Sequence, residues 1–349
     1  MRARGRPFTL GGETVAPGER RVIDLPVTRL YTHAPVNLPV QVINGRRAGP
    51  RLFITAAVHG DELNGVEICR RLLRRRVLGE LRGTLVVVPV VNVFGLIQHS
   101  RYLPDRRDLN RSFPGSPRGS LAARLAHLVV SEVVAQCTHG IDLHTGALHR
   151  SNLPQIRARL DDPETLALAR AFGVPVLLDA ALRDGSLREA AVEHGVKILL
   201  YEAGEALRFD PLAIAAGVQG VLRVMRALEM LPPLRRGRRL PEPLVARDSA
   251  WVRAPASGLI RHHVGLGARL HRGQPLALIC DPSDMLEPEE VAVSAPHGGI
   301  VIGRSMLPLV NEGDALYHVA RFDDPEEAAA SVEAFASTIG VDPDGVELG

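Results

Sequence analysis

The stretch Phe53 to Glu67 reads FITAAVHGDELNGVE, and its periodicity changes halfway along. Phe53 to Val58 is an apolar run, long enough for a buried strand and too short for a helix. From about Leu63 the pattern turns helical, with Val66, Cys69, Leu72 and Leu73 on one face. His59 and Glu62 therefore fall where a strand gives way to a helix, the edge at which open α/β sheets place their sites. Three residues apart on a tight turn, an imidazole nitrogen and a carboxylate can converge on one point. They suit two ligands of a zinc ion, roughly 2 Å from each donor. His-x-x-Glu alone recurs by chance, so its weight depends on what lies downstream.

The 349 residues suffice for a large core and two domains. A 46% hydrophobic content fits a globular protein, and no apolar run reaches the roughly 20 residues of a membrane span. Met1 to Pro17 lacks the apolar core of a secretory signal, so the expected location is the cytoplasm. Cys69, Cys137 and Cys280 are odd in number and far apart, which implies neither a disulfide framework nor a cysteine metal site. The net charge of +3 is small, and arginine supplies almost all of the positive charge, with Lys197 the only lysine. The run Arg235 to Arg239 reads as a solvated linker rather than a nucleic-acid contact.

Residues before Arg51 show short β-like runs and many turn residues, as in an edge hairpin or a cover over a sheet. Strand and helix signals then alternate. The expected order is strand 51–58, helix 64–77, strand 85–91, a long loop 92–117, a helix from the Ser120 cap to 137, and strand 140–143 ending in His144. A second loop through Arg157 follows, then helix 164–172, strand 174–178, helix 186–194, strand 197–202 and helix 211–231. This alternation predicts an α/β fold, a mostly parallel sheet with helices on both faces, over a catalytic domain of residues 1–234. The Pro/Arg-rich stretch 232–243 reads as a linker.

Beyond the linker, residues 245–322 read as a smaller all-β domain carrying an internal repeat. Val252-Arg-Ala-Pro-Ala-Ser-Gly258 matches Val293-Ser-Ala-Pro-His-Gly-Gly299, and Gly273-Gln-Pro-Leu276 matches Gly313-Asp-Ala-Leu316. Two copies of one β unit imply a small barrel-sandwich with pseudo-twofold symmetry. It resembles the biotinyl/lipoyl-carrier barrels, which attach their cofactor to a lysine between the copies. No lysine lies here, so a carrier role is not expected. Residues 323–349 read as an acidic, Ala-rich tail helix.

Catalytic zinc takes three protein ligands and leaves one position open. His144, after Ile141-Asp-Leu, stands at a strand end and supplies the third ligand beside His59 and Glu62; His139 and His149 compete for the role from the flanks of the same strand. Asp142 or a carbonyl would orient a ligand imidazole. The water activated by the metal needs a proton acceptor that later protonates the leaving amine. Glu202 ends the strand Ile198-Leu-Leu-Tyr-Glu202 and is the candidate. The long loop holds Arg101 and the run Asp108-Leu-Asn110-Arg111. Asn110 and Arg111 suit a substrate carboxylate, and a second arginine can polarise the scissile carbonyl.

As an ordered set, His59-Gly-Asp-Glu62, Asp108-Leu-Asn-Arg111, Asp-Leu-His144 and Tyr-Glu202-Ala-Gly resemble the succinylglutamate desuccinylase/aspartoacylase family, relatives of the zinc carboxypeptidases. The resemblance covers about residues 50–235. It implies one zinc per chain on His59, Glu62 and His144, with Glu202 as general base and acid. It also implies a carboxylate clamp at Asn110 and Arg111, and Arg101 polarising the carbonyl, with Arg106 and Arg107 as alternatives. Arg188 is offered as a further substrate-binding arginine, a place that the nearby helix cap explains equally well. The expected function is hydrolysis of the N-acyl bond of a small carboxylate-bearing amino acid. A metallocarboxypeptidase or esterase, and a non-catalytic zinc or ligand binder, are the alternatives. The stretch His149 to Arg157 departs from the best-known members. The C-terminal unit could act as a lid or as a homo-oligomer contact, and no nucleic-acid or membrane partner is expected.

Overall fold

The computed structural model describes residues 3–234, 242–246, 248–283 and 289–339. The Arg235–Arg239 run, most of the expected linker and the last ten residues of the tail lie outside that set.

Two short strands, β1 (Phe8–Leu10) and β2 (Glu13–Val15), form a separate hairpin. β3 (Arg20–Arg29) and β4 (Pro35–Asn44) pair as a long hairpin at one edge of the main sheet. The chain then enters the sheet centre through β5 (Arg47–Ala56), leaves it through α1 (Asn64–Leu73), and returns as β6 (Arg82–Val88). The loop expected at 92–117 contains a short helix, α2 (Val93–Ile97), and a single 3-10 turn at Leu109–Arg111. α3 (Leu121–Leu128) starts at Ser120, whose hydroxyl accepts from the Ala123 amide, a standard N-cap. It continues as a π turn and a 3-10 turn to Gln136.

The next segment corrects two expectations. β7 runs from His139 to Gly146, so His144 lies inside the strand and not at its end. The residues read as a loop through Arg157 form a full strand, β8 (Arg150–Ala158). Pro154 hid it, because proline removes a ladder donor and argues against a central strand. The register explains the exception. Asn152 pairs with Gly204 and Gln155 with Glu202, so Leu153 and Pro154 together face Ala203 in a bulge.

α4 (Pro163–Phe172), β9 (Val176–Asp179), α5 (Leu187–Glu193), β10 (Lys197–Glu205) and α6 (Pro211–Ala227) follow the predicted order. Side chains of Asp162, Ser186 and Asp210 cap the three helices. β5, β6, β7 and β10 pair in parallel, as do β8 and β9. The hairpin edge and the β8–β10 pair are antiparallel, so the sheet is mixed where a mostly parallel one was expected. Helices cover both faces. α1, α4 and α6 enclose one core cluster and α3 and α5 another, with Phe53 and Ile54 wholly buried on opposite sides of β5.

The C-terminal unit comprises β11 (Leu244–Ala246), β12 (Asp248–Arg253), β13 (Gly258–His262), β14 (Arg269–Leu270), β15 (Pro275–Cys280), β16 (Glu290–Ser294), β17 (Gly299–Ser305), β18 (Leu309–Val310) and β19 (Ala315–Arg321). The strands β16-β15-β13-β18 form one sheet. They share a core with β12, β14, β17 and β19. The sequence repeat is visible in the backbone. Gly258 and Gly299 have φ of 151° and 155°, and Gly273 and Gly313 have φ of 82° and 84°.

β17 pairs antiparallel with β8, so the C-terminal unit extends the main sheet to the order β12-β19-β17-β8-β10-β7-β5-β6-β4-β3. The tail helix α7 (Pro325–Ile339) fastens the junction, packing on α6, β14 and β17. Phe335 and Ile339 enter the core enclosed by α1, α4 and α6; burying a phenylalanine contributes roughly 1.5–3 kcal/mol. Among the described residues no helix is long and apolar enough to cross a membrane.

Candidate active site

β5 ends at Ala56, Ala57 adopts a left-handed φ of 48°, and the chain turns through His59, Gly60 and Asp61 to Glu62. That turn faces β7, where His144 projects. The Nδ1 of His59 lies 2.7 Å from Glu62 Oε1, and the Nδ1 of His144 lies 2.8 Å from Glu62 Oε2. All three side chains are at least 96% buried.

The other nitrogen of each ring faces a carboxylate. His144 Nε2 is 2.7 Å from Asp142 Oδ2, and His59 Nε2 is 3.2 Å from Asp108 Oδ1. Donation from Nε2–H to these carboxylates leaves an acceptor lone pair on each Nδ1. Two imidazole acceptors and a carboxylate then meet at one point, an arrangement that requires a proton or a cation between them. The three donors lie within 4.8 Å of one another, which fits a tetrahedral divalent metal with three protein ligands.

Without a cation, burial opposes charge on the histidines, yet Glu62 with Asp108 raises the His59 pKa. Asp142 and Glu62 likewise lift that of His144 well above its ordinary value. The two rings hold the Glu62 carboxyl far below the usual carboxylate range, despite its burial. The site is therefore built for one or more positive charges.

Asp108 organises the long loop. It accepts from both Nε and Nη2 of Arg101 and from the Asn110 amide. Arg101 Nη1 reaches to 3.5 Å from Glu62 Oε1, at the rim of the cluster. Arg106 and Arg107, the alternatives to Arg101, do not line the cavity. Asn110 Oδ1 accepts from the Leu187 amide, which leaves Nδ2 as its available donor. Arg111 lines the cavity beside it and donates to the Asn110 carbonyl.

Glu202 lies inside β10, which continues to Glu205, rather than at the strand's last residue. In the β10–β7 ladder it sits directly beside His144. Asn152 Nδ2 and Arg157 Nη2 both reach its Oε2, at 2.5 and 3.2 Å, and leave Oε1 open. Arg188 also borders the cavity, but its Nη1 and Nη2 donate to the carbonyls of Ala180 and Ala181. Burial, with Arg157 and Arg183 nearby, pushes its pKa down to about 10. His139 and His149 stand apart from the cluster, at the start of β7 and in the turn after it.

His59, Glu62, Arg101, Asn110, Arg111, His144, Arg188 and Glu202 open onto one cavity of about 540 Å³. Its far wall comes from the C-terminal unit through Asp248, Ser249, Trp251 and His318, and Arg150, Arg157 and Arg183 add further positive charge. A larger cleft of about 1240 Å³ between the N-terminal edge and the end of α6 contains none of the metal-binding groups. Sequence reasoning missed Asn152, Arg157, Arg183, Trp251 and His318. Only alternation along β8 could have marked the first two, and Pro154 obscured it.

A buried His/Glu/His cluster that could hold a metal ion stands at the carboxyl edge of the sheet, with a glutamate on the next strand, the set of groups that hydrolysis of an acyl bond would call for. Residues 48–228 match the succinylglutamate desuccinylase/aspartoacylase catalytic domain, and the chain belongs to that family and is an amidohydrolase of its type. It is 29% identical over 299 residues to the N-alpha-acetyl-L-2,4-diaminobutyric acid deacetylase of Halomonas elongata, covering 82% of this chain and 86% of the relative. The structure is similar to a succinylglutamate desuccinylase/aspartoacylase from Rhodobacter sphaeroides, with TM-score 0.76, 26% identity, and coverage of 87% and 96%. It also shares the fold of the product-bound ectoine utilization protein EutE (DoeB) from Ruegeria pomeroyi, with TM-score 0.77 and 24% identity over 92% and 99% of the chains.

Proposed function

We propose that this protein is a zinc-dependent deacylase that cleaves the N-acyl amide bond of a small amino acid. The observation that carries this reading is the register of β10 on β7, which sets Glu202 beside His144 and hence beside the cation site. A pure binding protein has no need of a carboxylate held there. The deacetylase from Halomonas elongata, matched over most of both chains, supports amide over ester hydrolysis.

His59, Glu62 and His144 would hold one zinc ion, which when bound acidifies water and polarises a carbonyl oxygen. The chain's own residues supply the rest. Asn110 Nδ2 and Arg111 hold the substrate carboxylate. Arg101, fixed by two bonds to Asp108, turns a guanidinium towards the scissile carbonyl and stabilises negative charge as it develops there. Asn152 and Arg157 anchor Glu202 through Oε2, so Oε1 takes the proton from the attacking water and returns it to the departing amine. The arginine-lined cavity favours anionic substrates.

The test is Glu202→Gln. Release of free amine from a panel of N-acyl amino acids should fall at least about a hundredfold while bound zinc is unchanged. Unchanged turnover would remove Glu202 from the reaction.

A further inference from the structure

The larger cleft, of about 1240 Å³, lies at the opposite end of the sheet from the His59, Glu62 and His144 cluster. β5 starts beside it at Arg47 and ends at Ala56, just before His59. At about 3.3 Å per residue, the length of β5 separates the two by roughly 30 Å. Five arginines line the cleft, Arg20, Arg46, Arg47, Arg82 and Arg226, against two carboxylates, Glu80 and Glu229. The surplus is three positive charges, as large as the formal +3 of all 349 residues. A concave surface of one sign concentrates the field within it.

The backbone gathers these arginines from separate elements. Arg47 opens β5 and Arg82 opens β6, and the two are direct ladder partners. Like charges placed opposite each other destabilise a sheet. Arg46, in the β4–β5 turn, lies across Gly18, where a Cβ would meet its Cγ and Nε at 2.9 Å. Gly18 has a left-handed φ of 91°, and its amide donates to the Asn44 carbonyl at 2.7 Å. Asn44 is buried and holds this frame together, donating to the carbonyls of Arg6 and Val15 and accepting from the Thr84 hydroxyl. Arg20 opens β3 on the other flank. Among the described residues, the side chains of Arg20, Arg46, Arg47 and Arg82 make no hydrogen bond or ion pair, with Glu80 and Glu229 or any other group. The chain thus sets two arginines against each other and brings two more beside them without supplying the counter-charge.

We propose that this cleft binds a small molecule carrying two or more linked phosphates. Guanidinium forks match phosphate oxygens in bidentate geometry. A linked pair of phosphates brings on the order of three negative charges, which matches the surplus and removes the opposition between Arg47 and Arg82. A single phosphate leaves much of that charge unbalanced. The shared chemistry is the diphosphate, either free or as the tail of a nucleotide. This site is separate from the hydrolytic one and does not depend on the deacylase reading.

The experiment is calorimetric titration of pyrophosphate, ADP, inorganic phosphate and citrate into the full chain. It is made on the wild type and on His144→Ala, where loss of a metal ligand removes zinc chelation as a source of heat. Pyrophosphate or ADP should bind both proteins at least about tenfold more tightly than phosphate or citrate. Tighter binding of ADP assigns a nucleotide, and equal or weaker binding a free polyphosphate. Arg47→Gln removes one of the opposed charges, so the fold should be kept, and diphosphate binding should weaken about tenfold, as expected for losing a charge-assisted hydrogen bond. Arg46→Gln, outside the ladder, should weaken it similarly. Arg101→Gln with Arg111→Gln, in the other cavity, should leave it unchanged. The proposal is overturned by an absence of binding, by phosphate or citrate binding as tightly, or by binding that survives both cleft variants.

Discussion

Asp142→Asn probes how the chain prepares its cation site. The Asp142 carboxylate is fully buried and receives two 2.7 Å bonds, from the Thr55 hydroxyl and from His144 Nε2. Asparagine has nearly the same shape and keeps one acceptor oxygen, which Thr55 retains. Its NH2 then faces His144 Nε2–H, donor against donor. The ring relieves the clash by moving its proton to Nδ1, the atom 2.8 Å from Glu62 that the cation needs. Loss of such an orienting carboxylate typically costs ten- to a hundredfold in metal affinity, or about 1.4–2.7 kcal/mol. Zinc affinity is read by competition with a chromogenic chelator, with circular dichroism to confirm that the fold is kept. Thr55→Val removes a bond to the same carboxylate without reversing the imidazole, and should change affinity less. A folded Asp142→Asn protein that binds zinc within about twofold of wild type would refute the tautomer argument.

Two further outcomes follow from other parts of the molecule. Gly303→Val places a Cβ 2.8 Å from Asn152 Oδ1 and 3.1 Å from the His318 Cβ; it should disturb the residue that holds Glu202 and lower kcat/KM at least about tenfold with zinc retained. Full activity in that variant would show that β17 does not shape the site. Asp162 caps α4 and pairs with Lys197, which together with Thr165 holds its carboxyl at about 2, below its ordinary 3.8. Because the folded-state value is depressed, this contribution is present above about pH 4 and lost as pH falls through about 2. Asp162→Ala should therefore cost about 1–2 kcal/mol at pH 7, discounted for partial exposure. Urea unfolding should show the gap closing near pH 2; an equal gap at both pH values would contradict the assignment.

Much of the site was legible because its residues sit where local patterns change. The period switch from strand to helix isolates His59 and Glu62, and apolar runs lead into His144 and Glu202. Strand ends were the wrong detail, since β7 and β10 continue past His144 and Glu202 as part of a wider sheet. The C-terminal repeat was also readable, since paired glycines repeat the same backbone angles. What stayed hidden depends on long-range pairing. Nothing local says that β17 joins β8, so the sequence could not place His318 and Trp251 in the cavity wall. Among many arginines, it could not separate Arg183, which lines the cavity with no side-chain hydrogen bond or ion pair among the described residues, from Arg188, which is spent on backbone carbonyls.

The most direct test of the central claim is metal content by elemental analysis, made on the purified wild-type protein and on His144→Ala, alongside amine release from N-acyl amino acids. The account predicts about one zinc per chain with activity in the wild type, and loss of both in the variant. Wild-type protein that binds no divalent metal even when zinc is supplied would contradict it.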